Sequence, residues 1–251
     1  MPHEPWIGSR WLAKAFLDRC DDVVCLSTAT LNELRALMPN RVAIMARQGF
    51  HPVYNQYLRG NEAIVAREPL TLLFFGLIKK YKGLDILLKA MPLVLKSVPD
   101  ARLLIAGEIY GSDATYIEMI RELGIATNVE AHFSFVPDSE VAGWFQRASL
   151  CVLPYRSASQ SGIIALSYAF GLPVLASRLE GLAQYVEEGK TGLLVKADPE
   201  PRPEELASEI VSYLTGDQYP RMHRFVIEKA AEFSWSRLGD IVIKRSIQAE
   251  T

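Results

Sequence analysis

The sequence has few cysteines and little net charge, and each shortage excludes a class of protein. Its 251 residues include 3 cysteines, and this odd number without metal-ligand spacing predicts reduced thiols rather than disulfides or a metal site. A formal net charge of -2 leaves no general basic surface for nucleic acid. No apolar run approaches the roughly 18 residues that span a bilayer, and the amino terminus lacks the features of a signal peptide. We therefore expect a cytoplasmic protein with no metal and no nucleic-acid partner.

Apolar runs alternate regularly with amphipathic helical patterns over residues 70–233. The predicted strands are 70–75, 101–106, 129–135, 150–153, 173–176 and 192–196, and the predicted helices are 83–98, 114–123, 138–147, 163–170, 182–187, 204–214 and 219–232. Repeated strand-helix units are typical of a parallel sheet with helices on both faces. The fold class is therefore predicted as α/β, with a Rossmann-like doubly wound parallel sheet in this domain.

The segment before this domain, residues 1–47, shows the same alternation on a smaller scale. It holds two predicted strands, 22–27 and 41–46, and two predicted helices, 6–19 and 30–37. Doubly wound sheets usually have about five strands or more. Residues 1–47 are therefore predicted to be the remnant of an amino-terminal domain, an incomplete second Rossmann-like domain.

Two further segments complete the predicted organisation. Residues 48–69 lack sustained periodicity, contain several glycines and prolines, and are predicted to be a linker. His51 in this linker either faces a cleft or is an exposed histidine without function, and the sequence leaves both open. His3 leaves the same alternatives open. Residues 234–251 are predicted to form a last amphipathic helix.

A polar loop between a strand and a helix is the first candidate site. The apolar run 150–153 stops at Pro154, several serines follow, and Gly162 stands where the next helix should begin. The free N–H groups and the dipole of a first helical turn attract phosphate, and Gly162 allows a ligand to approach the backbone. A helix N-cap without a ligand is the alternative for this pattern.

We call the domain predicted at residues 70–233 the complete domain, because its predicted sheet has six strands. The turn after its first strand is the second candidate site. It begins at Gly76, carries three lysines and ends at Gly83, but it has neither the P-loop spacing nor the dinucleotide fingerprint. Lys82 could neutralise a pyrophosphate held at the same sheet edge as Gly162. A solvated loop is the alternative for these lysines, but two such features at one edge of one sheet favour the site.

Four stretches resemble a known family and occur in the family's order. They are FFGLIKKYKGLDILLKA, ARLLIAGE, ASLCVLPYRSASQSGIIALSYAFGLPVLAS and EGLAQYVEEGKTGLLV. Through them the sequence is similar to the retaining glycosyltransferases of group 1, or family four, which have two facing Rossmann-like domains, the GT-B fold. The resemblance implies that residues 70–233 are the carboxyl-terminal, nucleotide-sugar-binding domain and that the last helix crosses back to the amino-terminal part.

The resemblance also implies a set of donor-binding residues. Lys82 matches the lysine that contacts the donor phosphates. Gly162 with Ile163 and Ile164 matches the helix start whose backbone N–H groups contact the same phosphates. Glu108 and the segment 135–137, with Val136 at its centre, lie where the family holds the base. The resemblance and the residue pattern together predict ten donor-binding residues, and Lys82 is also the expected catalytic residue. The ten are Gly76, Lys82, Gly83, Glu108, Val136, Ser159, Ser161, Gly162, Ile163 and Ser167.

Several positions depart from the family pattern. Ser159 and Ser167 occupy the places of two glutamates that hold the donor sugar and ribose, Leu77 that of an arginine and Gln184 that of another glutamate. Serine cannot supply a carboxylate. A sub-branch of the family is similar to the SQSGIIAL pattern, so the substitutions alone do not imply loss of activity.

The expected reaction is transfer of a sugar from a nucleoside-diphosphate sugar to a hydroxyl with retention, in polysaccharide or glycolipid synthesis. No cofactor is expected besides the donor substrate. Expected partners are the nucleotide sugar, a sugar or lipid-linked acceptor, the inner face of a membrane as a peripheral site, and a separate amino-terminal half or a second copy of the chain. A truncated or non-catalytic nucleotide-sugar-binding domain is the alternative, and a sugar-nucleotide epimerase of the same fold is a weaker third.

Overall fold

The computed structural model describes residues 9–40, 46–52, 67–109 and 111–248. The described strands are β1 (Val23–Cys25), β2 (Ala46–Gln48), β3 (Thr71–Phe75), β4 (Arg102–Ala106), β5 (Val129–His132), β6 (Leu150–Leu153), β7 (Val174–Ser177) and β8 (Gly192–Val195). The described α-helices are α1 (Ser9–Leu17), α2 (Thr28–Leu37), α3 (Leu84–Ser97), α4 (Ala114–Glu122), α5 (Asp138–Arg147), α6 (Gly162–Ala169), α7 (Glu180–Ala183), α8 (Pro203–Thr215), α9 (Gln218–Ala230) and α10 (Trp235–Gln248).

The main sheet has six strands in the order β5-β4-β3-β6-β7-β8, and every neighbouring pair is parallel. Strands β3, β6 and β7 are buried along their whole length, which explains their continuous apolar sequences. Strand β3, the first of these six in the chain, lies in the middle of the sheet. Strands β4 and β5 follow on one side of it, and β6, β7 and β8 follow on the other. The predicted doubly wound α/β fold is confirmed, and its topological switch point lies between β3 and β6.

Each face of this sheet carries its own apolar core. On one face α3 packs against α8, with Leu84, Leu87 and Leu206 fully buried. On the other face α6 packs against α9, with Tyr168 and Val226 fully buried. The two layers hold the strand ends in a fixed register, so loops that leave the carboxyl edge start from rigid positions.

The amino-terminal part forms a second, smaller sheet. Strand β1 pairs in parallel with β2, and α2 packs on them around Leu31, Leu34 and Met38. The helix begins with a capping box in which the Ser27 hydroxyl accepts a hydrogen bond from the Thr30 amide at 3.0 Å. Residues 41–45, most of the predicted strand 41–46, lie outside the described part, as do residues 1–8 with His3.

Most predicted element boundaries agree with the structure within two residues, and two elements differ more. The predicted strand 129–135 ends at His132, because the next residues turn away from the sheet towards Pro137 and the start of α5. The predicted helix 182–187 is the short α7, Glu180–Ala183, and it begins directly after Leu179. None of the described helices combines the length and apolar character that crossing a bilayer requires.

The last helix lies against the segment that follows β2. The Leu238 side chain lies 3.1 Å from a Cβ built on Gly49, and the Arg237 guanidinium is 5.9 Å from the centre of the Phe50 ring. Phe50 in turn meets Phe233 edge to face, with ring centres 5.8 Å apart. The last helix thus contacts residues 49 and 50, while the predicted domain bounds and the crossing of this helix to the amino-terminal part stay predictions.

Candidate functional site

A cavity of about 530 Å³ opens at the carboxyl edge of the main sheet, next to the switch point between β3 and β6. Its walls come from the turns after β3, β4, β5 and β6, the first turn of α6, and the segment after β2. Of the ten predicted site residues, the cavity brings together Gly76, Lys82, Glu108, Val136, Ser161, Gly162 and Ile163.

The floor of the cavity is backbone. Gly76 has a φ of +99° and Gly107 a φ of +150°, both in the region that favours glycine. A Cβ built on Gly107 would lie 2.2 Å from the Gly76 carbonyl oxygen. The ends of β3 and β4 therefore approach so closely that only glycine fits at Gly107, and a ligand can lie directly on the main chain.

Lys82 is the charged group beside this floor. It belongs to a 3-10 turn, Lys80–Lys82, and its side chain folds inwards until only 9% of the residue is exposed. Its Nζ lies 3.4 Å from a Cβ built on Gly76 and 5.5 Å from the centre of the Tyr155 ring. Burial lowers the pKa of Lys82 to about 8. Among the described residues no carboxylate forms a salt bridge with Lys82, so the positive charge faces the cavity.

An ion pair behind the turn fixes the position of Lys82. Arg156 donates to both carboxylate oxygens of Asp85 at 2.7 Å, and it also donates to the Lys80 carbonyl at 2.9 Å. The Arg156 amide bonds to the Tyr81 carbonyl at 2.7 Å. Burial opposes ionisation of Asp85, but the hydrogen bonds and charge of Arg156 keep the pKa of this carboxyl below its usual value. The sequence analysis did not identify this pair, because 71 residues separate its members.

The first turn of α6 forms the opposite wall. Ser161 is the N-cap, and its hydroxyl accepts a hydrogen bond from the Ile163 amide at 3.3 Å. The His51 ring packs on Gly162, since a Cβ built there would lie 2.8 Å from His51 Cε1 and 2.9 Å from Nε2. Because Gly162 has no side chain, the His51 ring has room to pack there. This places His51 in the cavity wall, one of the two alternatives that the sequence left open.

The rim of the cavity is more open than its floor. Glu108 is exposed after β4, and Phe135 is 67% exposed after β5, while Val136 beside it is buried. An exposed carboxylate and an exposed aromatic ring at one rim can hydrogen-bond and stack on a flat polar ring such as a nucleobase.

Three of the predicted site residues do not line the cavity. Gly83 has a φ of +70°, and a Cβ on it would lie 2.0 Å from the Pro154 carbonyl oxygen, so it is required by the close packing of two turns. Ser167 is fully buried on α6, and its hydroxyl lies beside the Cys151 thiol. The Ser159 carbonyl accepts a hydrogen bond from the Ser27 hydroxyl. A role of these three in donor binding stays a prediction.

The serine and glutamine that depart from the family pattern contact the amino-terminal part instead. Gln184 Oε1 accepts hydrogen bonds from the amide and the hydroxyl of Thr28, each at 2.8 Å. The Tyr185 hydroxyl donates to the Leu26 carbonyl. Together with the bond from Ser27 to Ser159, these contacts attach residues 26–28, the start of α2, to the complete domain.

The neighbouring Gln160 lines the main cavity and also an apolar cleft of about 430 Å³ beside α1 and α2. Its amide oxygen is buried and accepts no hydrogen bond from the described residues. In the described ranges no three His, Cys, Asp or Glu side chains are grouped so that they could hold a metal ion. The arrangement as a whole combines a buried cation, a helix N-terminus and glycine backbone at one cavity, which are the groups that bind anions in proteins.

Comparison with known families gives a match over more than half of the chain. The profile of the family "Glycosyl transferases group 1" matches residues 69–216. The D-inositol 3-phosphate glycosyltransferase of Segniliparus rotundus is 34% identical over 172 residues, which are 66% of this chain and 37% of that protein. The protein of the same name from Corynebacterium glutamicum is 29% identical over 264 residues, covering 92% of this chain and 60% of that protein. The chain thus spans 37% and 60% of these two relatives.

Solved structures show the same fold at low identity. HepE of Anabaena in complex with UDP superposes with a TM-score of 0.78 at 17% identity, covering 99% of this chain and 70% of that one. Sucrose-phosphate synthase of Thermosynechococcus elongatus gives a TM-score of 0.71 at 21% identity, covering 96% of this chain and 62% of that one.

Proposed function

The chain belongs to the group 1 glycosyl transferases, and we propose that its cavity binds the diphosphate of a nucleotide-sugar donor whose sugar is transferred, with retention, to a hydroxyl acceptor. The observation that carries this proposal is Lys82, a buried cation without a carboxylate partner among the described residues, which faces the first turn of α6. An unpaired buried cation is costly and needs an anion to compensate it.

The same arrangement supplies what the reaction needs. Negative charge develops on the diphosphate as the bond to the sugar breaks, and a fixed lysine with a helix N-terminus stabilises that charge without reorganising. The Arg156 and Asp85 pair keeps Lys82 in place, and the glycine floor lets the phosphates approach the main chain. Lys82 and the amides of residues 161–163 are therefore the groups that we assign to leaving-group stabilisation.

The related proteins support the donor class. The Anabaena neighbour was solved with UDP, with UDP and glucose, and with UDP-glucose. The curated relatives are named for D-inositol 3-phosphate, which carries hydroxyl groups, and this is in keeping with a hydroxyl acceptor. We keep a polysaccharide or glycolipid product, a cytoplasmic location at the inner face of a membrane, and a partner that completes the amino-terminal domain as parts of the same proposal.

A nucleotide-sugar-binding domain without catalysis is the second candidate, and one observation favours it. The sequence has serine at the two positions where the family has glutamate, and neither Ser159 nor Ser167 lines the cavity. Without these carboxylates the sugar has fewer hydrogen-bond acceptors, while the phosphate site is unaffected. The two candidates agree on nucleotide binding and differ only in turnover.

Calorimetric titration of the full chain with UDP, GDP and ADP tests the shared premise. We expect one of them to bind, and Lys82→Ala to weaken its binding by on the order of 2 kcal/mol, the effect of losing a charge-assisted contact. Lys80→Ala is the matched control, because Lys80 lies in the same turn with an exposed side chain. It should bind as the wild type does.

Two outcomes would contradict the proposal. A folded wild-type chain that binds none of the three nucleotides has no donor site, and equal losses in Lys80→Ala and Lys82→Ala would reflect net charge rather than a specific contact. With binding established, release of free sugar or glycosylation of added acceptors from the matching nucleotide sugar separates the transferase from the binding domain.

A further inference from the structure

His51, from the segment after β2, contributes a group to the cavity that the family resemblance does not assign. We propose that His51, which packs on the first turn of α6 in the cavity that Lys82 also lines, is a phosphate-binding residue in its protonated form. The proposal rests on the proposed nucleotide site and adds to it a residue from outside the complete domain, as well as a dependence on pH.

The backbone on both sides of His51 is held in place. The Gly49 amide bonds to the Cys25 carbonyl at 2.7 Å, which extends the pairing of β1 and β2. Phe50 packs edge to face on Phe233, and Pro52 is buried. These contacts therefore hold the backbone that places the His51 ring against Gly162.

The chemistry of the ring follows from its neighbour. His51 Nδ1 lies 3.0 Å from the Pro52 carbonyl oxygen. A carbonyl oxygen only accepts, so this bond places a hydrogen on Nδ1, and in the neutral ring Nε2 then carries a lone pair. Both ring nitrogens lie near the first turn of α6, with Nε2 at 2.9 Å and Nδ1 at 3.1 Å from a Cβ built on Gly162. Because Nδ1 is bonded to the Pro52 carbonyl, Nε2 is the nitrogen left to meet a ligand there. Only the protonated ring can donate from Nε2 to a phosphate oxygen.

Other charges around the cavity decide whether protonation is favourable. Lys82 lines the cavity after β3 and opposes a second positive charge, whereas Glu108 after β4 and Asp138 at the start of α5 favour it. Tyr81 and Tyr155 also line the cavity. A bound diphosphate adds negative charge beside the ring, so ligand binding and proton uptake by His51 should be coupled.

The test uses UDP-glucose as the probe, because its phosphates are diesters and do not titrate near neutral pH, whereas the terminal phosphate of UDP titrates near pH ~6. We expect wild-type affinity to increase about tenfold as the pH is lowered from about 8 to about 6, which is the effect of gaining one charge-assisted hydrogen bond. His51→Ala and His51→Gln should bind with about the affinity that the wild type has at high pH, and the tenfold increase should be absent from both. A change of about twofold should remain in all three proteins, because Lys82 has a pKa of about 8 and gains its full charge over the same range.

Gly162→Ala provides a second, steric test. The new Cβ would displace the imidazole, so this variant should lose the same pH-dependent part of the affinity. Gly162→Ala and His51→Ala remove the same contact. The double variant should therefore bind UDP-glucose no more weakly than Gly162→Ala alone. Unchanged melting temperatures would show that the variants are folded.

A direct reading comes from the imidazole proton signals in the NMR spectrum of the full chain, which has four histidines. The signal lost in His51→Gln identifies His51, and its pKa should rise when UDP-glucose is added. A pKa that does not change, or equal affinities of the wild type and His51→Ala at pH about 6, would overturn the proposal for His51 alone. A wild-type chain that binds neither UDP nor UDP-glucose would overturn the nucleotide site as well.

Discussion

Lys82 couples the stability of the chain to its binding site. Burial lowers its pKa from 10.5 to about 8, so the folded protein carries a charge that it would release more readily than the unfolded chain. Replacing it with an apolar side chain of similar length removes this penalty. The residue therefore weakens the fold in the absence of ligand, and such a trade-off is common where a site needs a strained or charged group.

We predict that Lys82→Met raises the free energy of unfolding at pH about 7 by on the order of 2 kcal/mol, while nucleotide binding weakens as it does in Lys82→Ala. Between about 8 and 10.5 the unfolded wild type binds more protons than the folded one, so wild-type stability rises with pH in this window. The advantage of Lys82→Met should therefore shrink as the pH rises through it. Urea unfolding at several pH values measures the difference, and a less stable variant would show that the lysine is not under strain.

Gly83 and Gly124 allow the effect of close packing to be separated from that of backbone conformation. Their φ values are +70° and +66°, but a Cβ on Gly83 would meet the Pro154 carbonyl at 2.0 Å, whereas nothing lies within 4 Å of a Cβ on Gly124. We predict a loss of about 1 kcal/mol for Gly124→Ala from the left-handed backbone alone. Gly83→Ala should lose at least ~3 kcal/mol, since the two turns must also separate. Equal losses in the free energy of unfolding, measured with urea, would mean that the Pro154 turn can move away from a new side chain at no cost.

The sequence predicted some residues of the candidate site better than others. Lys82 and Gly162 each lie in the connection between a strand and the following helix or at that helix's first residue, so local pattern alone places them at one sheet edge. His51 and the pair Arg156 and Asp85 come together through long-range packing, which has no local signature. The positions of Ser159 and Ser167 outside the cavity could not be predicted either, because they depend on contacts with the start of α2 and with the sheet.

At the scale of elements, the Gln184 side chain makes two of the hydrogen bonds that attach the N-terminus of α2 to the complete domain. Gln184 Oε1 accepts from both the amide and the hydroxyl of Thr28. We predict that Gln184→Leu loses about 1 to 3 kcal/mol, because the Thr28 donors are left without this acceptor. Gln184→Glu should be neutral or gain up to ~1 kcal/mol, since a carboxylate retains the acceptor and also favours a helix N-terminus. Urea unfolding compares the three proteins, and a stable Gln184→Leu would show that the contact contributes nothing.

Element order and type were predictable where the periodicity was long. The strands β3, β6 and β7 have continuous apolar sequences because both of their faces are buried, and α5 was predicted with its observed bounds. The predicted end of β5 was wrong because the apolar residues after His132, including Phe133, pack outside the sheet, with Phe133 against Tyr116. Apolar character alone does not distinguish a strand from the loop that extends it.

At the scale of the whole molecule, the described chain contains one complete sheet of six strands and a second sheet of two. The short sheet leaves Trp11 and Phe16 of α1 largely exposed. Contacts from α10 to Gly49 and Phe50 and from residues 26–28 to the complete domain join the two sheets on two sides of the cavity wall that contains His51. This arrangement makes His51 and Pro52 part of the cavity wall.

The backbone floor of the cavity limits how such a site can diverge among descendants. A side chain at Gly107 would collide with the Gly76 carbonyl, so substitutions at this position are not tolerated. The rim tolerates substitutions, because Leu77, Glu108 and Phe135 have exposed side chains that are not part of a core. A lineage can therefore exchange one ligand for another by point mutations at the rim, while the sheet beneath retains its inherited form.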